Sequence, residues 1–235
     1  MKKLSTLVLA AAMTAFSSAA CAQLSLVTSR AAFPTTDSVD WSVLGPPFTT
    51  ITSPFTVATT GGSTVDVYHD EGTLFERRDQ STGGWGGNFN FGEALLWNRG
   101  DNGSITFDPS NLVFGAGFNV QADFAGLFTF KLEAFDTDGG SLGSVSRTGF
   151  SNSTLGMAVF IGFLSNSANV DKFVGTLTSS VAGPSNFAIN SLALSAPSPA
   201  VGGAVPEPST YGLIGGVVVL LAAAHRRFRR HSLAI

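Results

Sequence analysis

Polar and apolar residues alternate along much of this chain. Between Leu127 and Phe135, Phe128, Phe130, Leu132 and Ala134 share one face, and Thr129, Lys131 and Glu133 share the other. That period of two marks a strand with one buried face. Further β-forming runs extend from Phe55 to Ala58, Thr64 to Tyr68, Gly103 to Phe107, Gly115 to Val120, Leu142 to Arg147, Ala158 to Leu164, Val170 to Leu177 and Phe187 to Leu194. In the last run Phe187 and Ile189 fall out of step with Leu192 and Leu194. This predicts a half-buried strand with a bulge near Asn190-Ser191. Turn residues punctuate the runs: Gly61-Gly62, Asp101-Asn102-Gly103 and Asp136-Thr137-Asp138-Gly139-Gly140. No stretch between them shows a capped amphipathic helix, so the spacing predicts an all-β fold, a single β-sandwich.

Composition agrees with this reading. Only 12% of the 235 residues are charged, while Gly (27) and Phe (20) are abundant, as suits strands joined by many turns. Charge is unevenly placed. Residues 23–205 hold seven Lys/Arg against fifteen Asp/Glu, a net −8. Such a body lacks the clustered cations that phosphate contacts require, which excludes nucleic acid as the expected partner.

The two ends carry addresses. Met1-Lys2-Lys3, the apolar run from Leu4 to Phe16 and Ala20-Cys21-Ala22 read as a secretory signal peptide over residues 1–22. A lipoprotein reading would use Cys21, but no Leu stands three residues before it. Cleavage after Ala22 removes the one cysteine, so the exported body relies on its core alone. Residues 196–205 form a Pro/Gly/Ala linker after a domain over 23–195. From Ser209 to Ala224 no residue is charged. Sixteen residues make one short transmembrane helix, and Arg226, Arg227, Arg229 and Arg230 then act as a stop-transfer cluster on the cytoplasmic side.

Pro206-Glu207-Pro208-Ser209-Thr210-Tyr211, the Gly-rich apolar segment and the arginines resemble the PEP-CTERM sorting signal, over residues 206–231. The resemblance implies an exported precursor recognised by exosortase, a membrane-embedded transpeptidase that would cut near Pro206-Glu207-Pro208. The membrane is then a transient partner; a permanent single-span anchor is the alternative. The body, through "WGGNFNFGEALLWN" (85–98), "GSITFDPSNLVFGAGFNV" (103–120), "KLEAFDTDGGSLGS" (131–144), "AVFIGFLSNSANVDKFV" (158–174) and "FAINSLAL" (187–194), is similar to jelly-roll, lectin-like β-sandwiches. The resemblance implies a last strand beside the first. In that family the last strand often carries acidic residues; here Asn190 and Ser191 stand instead, which weakens a metal or ligand role there.

Enzyme signatures are scarce. Gly139-Gly140-Ser141-Leu142-Gly143 matches G-x-S-x-G, but it lies in a turn followed by a strand, where a nucleophile elbow needs a helix. His69 is the one histidine before the tail, and Tyr68-His69-Asp70-Glu71-Gly72 reads as an exposed turn. The glutamates Glu71, Glu76, Glu93 and Glu133 are available for glycoside hydrolysis, but sequence places no second carboxylate at working distance. The best ligand candidate is Trp85, Asn88, Asn90 and Glu93: an aromatic ring for sugar stacking, with amides and a carboxylate for hydroxyls. Trp85 sits in Gly83-Gly84-Trp85-Gly86-Gly87, either as an exposed stacking platform or as a plug at one end of the sandwich. Trp41 and Trp97 are expected in the core. Asp136 and Asp138 are the candidate Ca²⁺ ligands, although two carboxylates fall short of a calcium site and a plain hairpin turn is the stronger expectation. No other cofactor is expected. The sequence thus predicts a non-enzymatic, exported envelope or matrix protein, structural or adhesive, with extracellular polysaccharide as a partner. A surface hydrolase is the competing class.

Overall fold

A computed structural model describes residues 24–70, 74–99, 103–181, 183 and 186–197. The signal peptide, Cys21, Glu71, the Asp101-Asn102 pair, the linker from 198, Pro206-Glu207-Pro208, the tail helix and its arginines lie outside the described residues. Within them the strands begin with β1 (Ser25–Val27), β2 (Asp37–Val39), β3 (Thr50–Thr52), β4 (Phe55–Ala58), β5 (Thr64–His69) and β6 (Leu74–Gln80). They continue with β7 (Gly84–Trp85), β8 (Ala94–Trp97), β9 (Ile105–Pro109), β10 (Gly115–Ala122) and β11 (Gly126–Phe135). The last are β12 (Ser141–Ser151), β13 (Val159–Leu164), β14 (Lys172–Ser180), β15 (Phe187–Ile189) and β16 (Leu192–Ser195). Two short 3-10 helices, Arg30–Ala32 and Trp41–Leu44, interrupt them.

The strands form two sheets, a β-sandwich as the spacing predicted. The six-stranded sheet runs β12-β11-β14-β9-β5-β4. The ten-stranded sheet runs β1-β13-β10-β15-β8-β6-β3, with β16 pairing β10 and β2, and β7 pairing β6. The chain crosses between sheets from β3 to β4, β5 to β6, β8 to β9, β9 to β10, β10 to β11, β12 to β13, β13 to β14 and β14 to β15, a jelly-roll-like alternation. The last strand, β16, lies beside β2 near the start of the described chain.

Alternation built the six-stranded sheet. Phe128, Phe130, Leu132 and Ala134 of β11 point inward and are buried. Phe107 and Phe173 stack at 4.9 Å between centroids. Phe130 meets Phe118 and Phe187 of the opposite sheet edge-on at 5.8 and 4.8 Å. Such offset and edge contacts suit ring quadrupoles and add to the area they bury. The outer face of the same strands carries Thr129, Lys131 and Glu133, with Lys131 paired to Glu133 at 2.9 Å.

Three expectations need correction. His69 does not sit in an exposed turn: it closes β5, is buried, and its ring lies 5.3 Å from that of Phe75. It continues the inward parity of Val65 and Val67, which outweighs the charges that follow it. The last run is not half-buried either. β15 and β16 are buried along their length, because a second layer of side chains covers the ten-stranded sheet from outside. Finally, Glu76, offered as an available glutamate, is a buried member of β6, paired with Arg78 at 2.5 Å and Arg99 at 3.1 Å.

The bulge at Asn190-Ser191 is present. β10 pairs Val120 with Ile189 before it and Gly117 with Ala193 after it, so the register slips by one residue. The strand's other edge also changes partner there: β15 pairs β8, but β16 pairs β2. The ten-stranded sheet forks at the bulge.

Two clefts on the ten-stranded sheet

The second layer over the ten-stranded sheet holds the sequence candidates and divides them. Trp85 is only 7% exposed and packs with Phe89, Leu95, Trp97 and Ala188. An exposed platform is corrected by this burial, and the plug is relocated: Trp85 fills a cluster outside the ten-stranded sheet, not an end of the sandwich. The reason is chemical. The indole Nε1 donates to Gln121 Oε1 at 3.1 Å, the same oxygen accepts the Asn88 backbone N–H at 2.6 Å, and Gln121 Nε2 donates to the Asn152 carbonyl. Neighbouring glycines permit this approach. A methyl group at Gly87 would overlap the Gln121 amide, and Gly84 has φ +85° with Arg78 and Phe48 against it. Arg78 is itself held between the Phe48 and Trp97 rings at 4.7 and 4.8 Å.

Asn88 is fully buried and serves the fold. Its amide donates to Asn152 Oδ1 and the Thr154 carbonyl, and its own Oδ1 accepts the Asn152 N–H at 2.8 Å. Asn90 and Glu93 stand elsewhere. The Asn90 N–H and amide donate to the two Glu93 oxygens at 2.9 and 3.1 Å, and the Asn190 amide reaches Glu93 Oε1 at 3.3 Å. The four predicted ligands therefore do not form one site.

Two open clefts flank the segment 84–94. The first, of about 400 Å³, is lined by the backbone of Gly84, Gly86 and Gly87, by Trp85 and Gln121 beneath, and by Asp123, Asn152 and Ser153. Burial pushes the Asp123 carboxyl above its ordinary range, opposed by a hydrogen bond with Asn186 and the charge of Arg78. Phe124, next to Asp123, is 49% exposed. Sequence reasoning missed both residues. The signal was an aromatic in the short turn Asp123-Phe124-Ala125-Gly126, a place where burial needs no ring.

The second cleft, of about 540 Å³, opens at the fork. Ser38 and Asp40 come from the β2 branch, Glu93 and Ala94 from the β8 branch, Asn190 and Ser191 from the bulge, and Arg77 from β6. Arg30 braces the bulge: its Nε donates to Asn119 Oδ1 at 3.0 Å, and Nη2 donates to Asn190 Oδ1 and the Ser191 carbonyl, each at 2.7 Å. The Trp41 indole N–H holds the Asn190 carbonyl from the core side at 2.8 Å. Asn190 and Ser191, set aside for lacking acid, thus line a cleft after all.

Asp136 and Asp138 lie in the hairpin between β11 and β12. Asp136 Oδ1 accepts the N–H groups of Asp138 and Gly140 at 3.1 and 2.7 Å. The carboxylate builds the turn, and among the described residues no three His, Cys, Asp or Glu side chains gather to hold a metal. Ser141 begins β12 and donates to Glu133 at 2.9 Å, with no helix after it. Among the described residues no helix is long and apolar enough to cross a membrane.

No protein-family model and no curated protein matches the chain. Among solved structures, it is similar to a DUF4465 family protein from Bacteroides caccae ATCC 43185, with 11% identity and a TM-score of 0.36, over 73% of this chain and 99% of that one. It is also similar to CsCBM6-3 from Clostridium stercorarium, solved in complex with cellobiose, with 14% identity and a TM-score of 0.21, over 65% of this chain and 98% of that one. Scores of this size do not establish a shared family.

Proposed function

We propose that this is an exported surface or matrix protein that binds extracellular polysaccharide through the first cleft, beside Trp85. The observation that carries this reading is the first cleft. It offers a carboxylate, an amide, a hydroxyl and bare glycine backbone over an indole floor, with an exposed phenyl ring in the adjoining turn. That combination suits the hydroxyls and CH faces of a sugar. Retention of the full chain on the polysaccharide shed by a producing culture, with and without calcium, tests it. Asp123→Asn and Phe124→Ala are the informative variants: the first changes the cleft wall, the second removes the exposed ring beside it, and neither empties the core. Loss of retention in both supports the reading. Retention by neither the wild type nor the variants overturns it.

The sequence supports a sorting route for the same protein: export by the 1–22 signal, cleavage near Pro206-Glu207-Pro208 by exosortase, and release of the body from the inner membrane to the envelope. Mass spectrometry of the mature C-terminus tests this. An intact Ile235 would mean permanent anchoring instead.

A hydrolase remains the second reading because Asp40 and Glu93 line one cleft. Glu93, however, already accepts from Asn90 twice and from Asn190, and Asp40 Oδ1 accepts the Ser42 N–H at 2.9 Å, capping a 3-10 helix. Both act as fixed acceptors, where hydrolysis needs one as a proton donor. Appearance of shorter sugars on incubation would favour the hydrolase.

A further inference from the structure

We propose that the cleft at the sheet fork is a second glycan subsite, specific for a neutral sugar bearing adjacent hydroxyls, so that one chain can bridge two polysaccharide strands. Arg77 donates to one hydroxyl oxygen and Glu93 accepts from its neighbour. This inference rests on the polysaccharide-binding reading above.

Three observations carry it. Arg77 is 4% exposed, yet it lines the open cleft. Its Nη1 donates to the Arg78 carbonyl and pairs with Asp79 at 2.6 Å, while its buried Nε has no partner among the described residues. A guanidinium carries five N–H donors, so capacity remains. Glu93 accepts three hydrogen bonds out of about four its two oxygens can take. Donor and acceptor thus line one cleft, each with capacity left, as a vicinal diol requires.

The floor is also rigid. Every polar group of the Asn190 side chain is tied, to Arg30, Asn119 or Glu93, and its carbonyl is held by Trp41. A ligand therefore meets a preorganised surface and need not order it. Bulges of this kind commonly re-aim groups beside binding sites.

Charge selects the sugar class. Arg77 is offset by Asp79, and Arg30, outside the lining, is tied to Asn119, Asn190 and Ser191 and acts on Glu93, so a uronic acid would meet the Asp40 and Glu93 carboxylates with no free cation on the cleft wall. A neutral sugar meets no such penalty. Phe91, 69% exposed and one residue before the cleft-lining Gly92, supplies an apolar ring on the same turn.

The test is calorimetric titration of the full chain with cellohexaose, maltohexaose, mannohexaose and an alginate hexamer. The wild type should bind a neutral hexasaccharide at two sites per chain and leave the alginate hexamer unbound. Ser42→Trp fills the cleft from an exposed lining position whose hydroxyl makes no hydrogen bond among the described residues; it should halve the stoichiometry. Glu93→Gln should weaken that site at least tenfold, and Phe91→Ala several-fold. Soluble neutral polysaccharide should be cross-linked by the wild type and not by Ser42→Trp. One site per chain in the wild type, or unchanged stoichiometry in Ser42→Trp, overturns the second subsite and leaves the first cleft standing. Tighter binding of the alginate hexamer than of the neutral sugars overturns the proposed specificity. Absence of binding to every sugar overturns the polysaccharide reading itself.

Discussion

The two sheets share one core but differ on their far sides. The six-stranded sheet turns threonine, serine, a Lys131–Glu133 pair and the exposed Leu127 and Phe150 outward, and among the described residues no second apolar cluster covers them. The ten-stranded sheet carries a second layer: Trp85, Phe89 and Trp97 at one place, Phe33 and Phe160 at another, and buried Gln121, Asn88, Asn190 and Arg77 among them. That second layer opens into two clefts whose polar groups are already fixed. A bare sheet face leaves each side chain independent, whereas loops folded over a sheet can converge groups from distant parts of the chain. The functional surface is where the chain covers its own sheet.

Mutations can break this contrast, beginning with what both sides share. Phe130→Ala removes the ring that meets Phe118 and Phe187 across the sandwich. It should cost about 3–5 kcal/mol in urea unfolding and abolish sugar binding with the fold. Trp85→Ala should cost a little less, about 3 kcal/mol, because it empties the smaller outer cluster and leaves the Gln121 carbonyl with one donor fewer. A Trp85 that acted only as a stacking platform would lose binding at unchanged stability.

Asp37 tests the seam between the sheets. Burial pushes its carboxyl up, but hydrogen bonds from Thr59, Gly61, Ser38 and Thr60 together outweigh burial and hold it below its usual range. Those bonds tie β2 to the β4–β5 turn. Because the folded value is depressed, the stabilisation is full above the ordinary value of about 3.9. It is lost as pH falls through that value toward the folded one. Asp37→Asn should cost about 1–3 kcal/mol at pH 7 and flatten the acid limb of stability against pH.

The smallest effect belongs to the bare face. Asp108 stands directly opposite Asp66 across β9 and β5. Burial, then Asp171 and Asp66, push its carboxyl up, with Lys172 opposing. A raised carboxyl penalises the charged fold at neutral pH, and the penalty fades as pH falls from the raised value to the ordinary one, below which it is gone. Asp108→Asn should therefore gain roughly 0.2–1 kcal/mol at pH 7, with no gain near pH 3 and no change in sugar binding.

The sequence was legible where one face is wet. β4 and β11 follow directly from alternation, and the Asn190-Ser191 slip announced the fork. β6 was not legible: Glu76-Arg77-Arg78-Asp79 puts four charges in a row, and only pairing within the fold makes it a buried strand. β1, β2 and β3 have three residues each, too few for a period. The clefts were half legible. Trp85 and Glu93 were found, but the Gln121 that buries Trp85 lies thirty-six residues away. Asp123 and Arg77 gain their roles only when loops and fork bring them to a cleft.

The most direct test of the central claim is hydrogen–deuterium exchange on the full chain, with and without a polysaccharide it retains. Slower exchange confined to segments 84–94, 121–125, 151–153 and 189–191, with the outer-facing positions of β11 and β12 unchanged, is the predicted result. Protection spread over the six-stranded sheet's outer face, or no protection anywhere, would contradict the account.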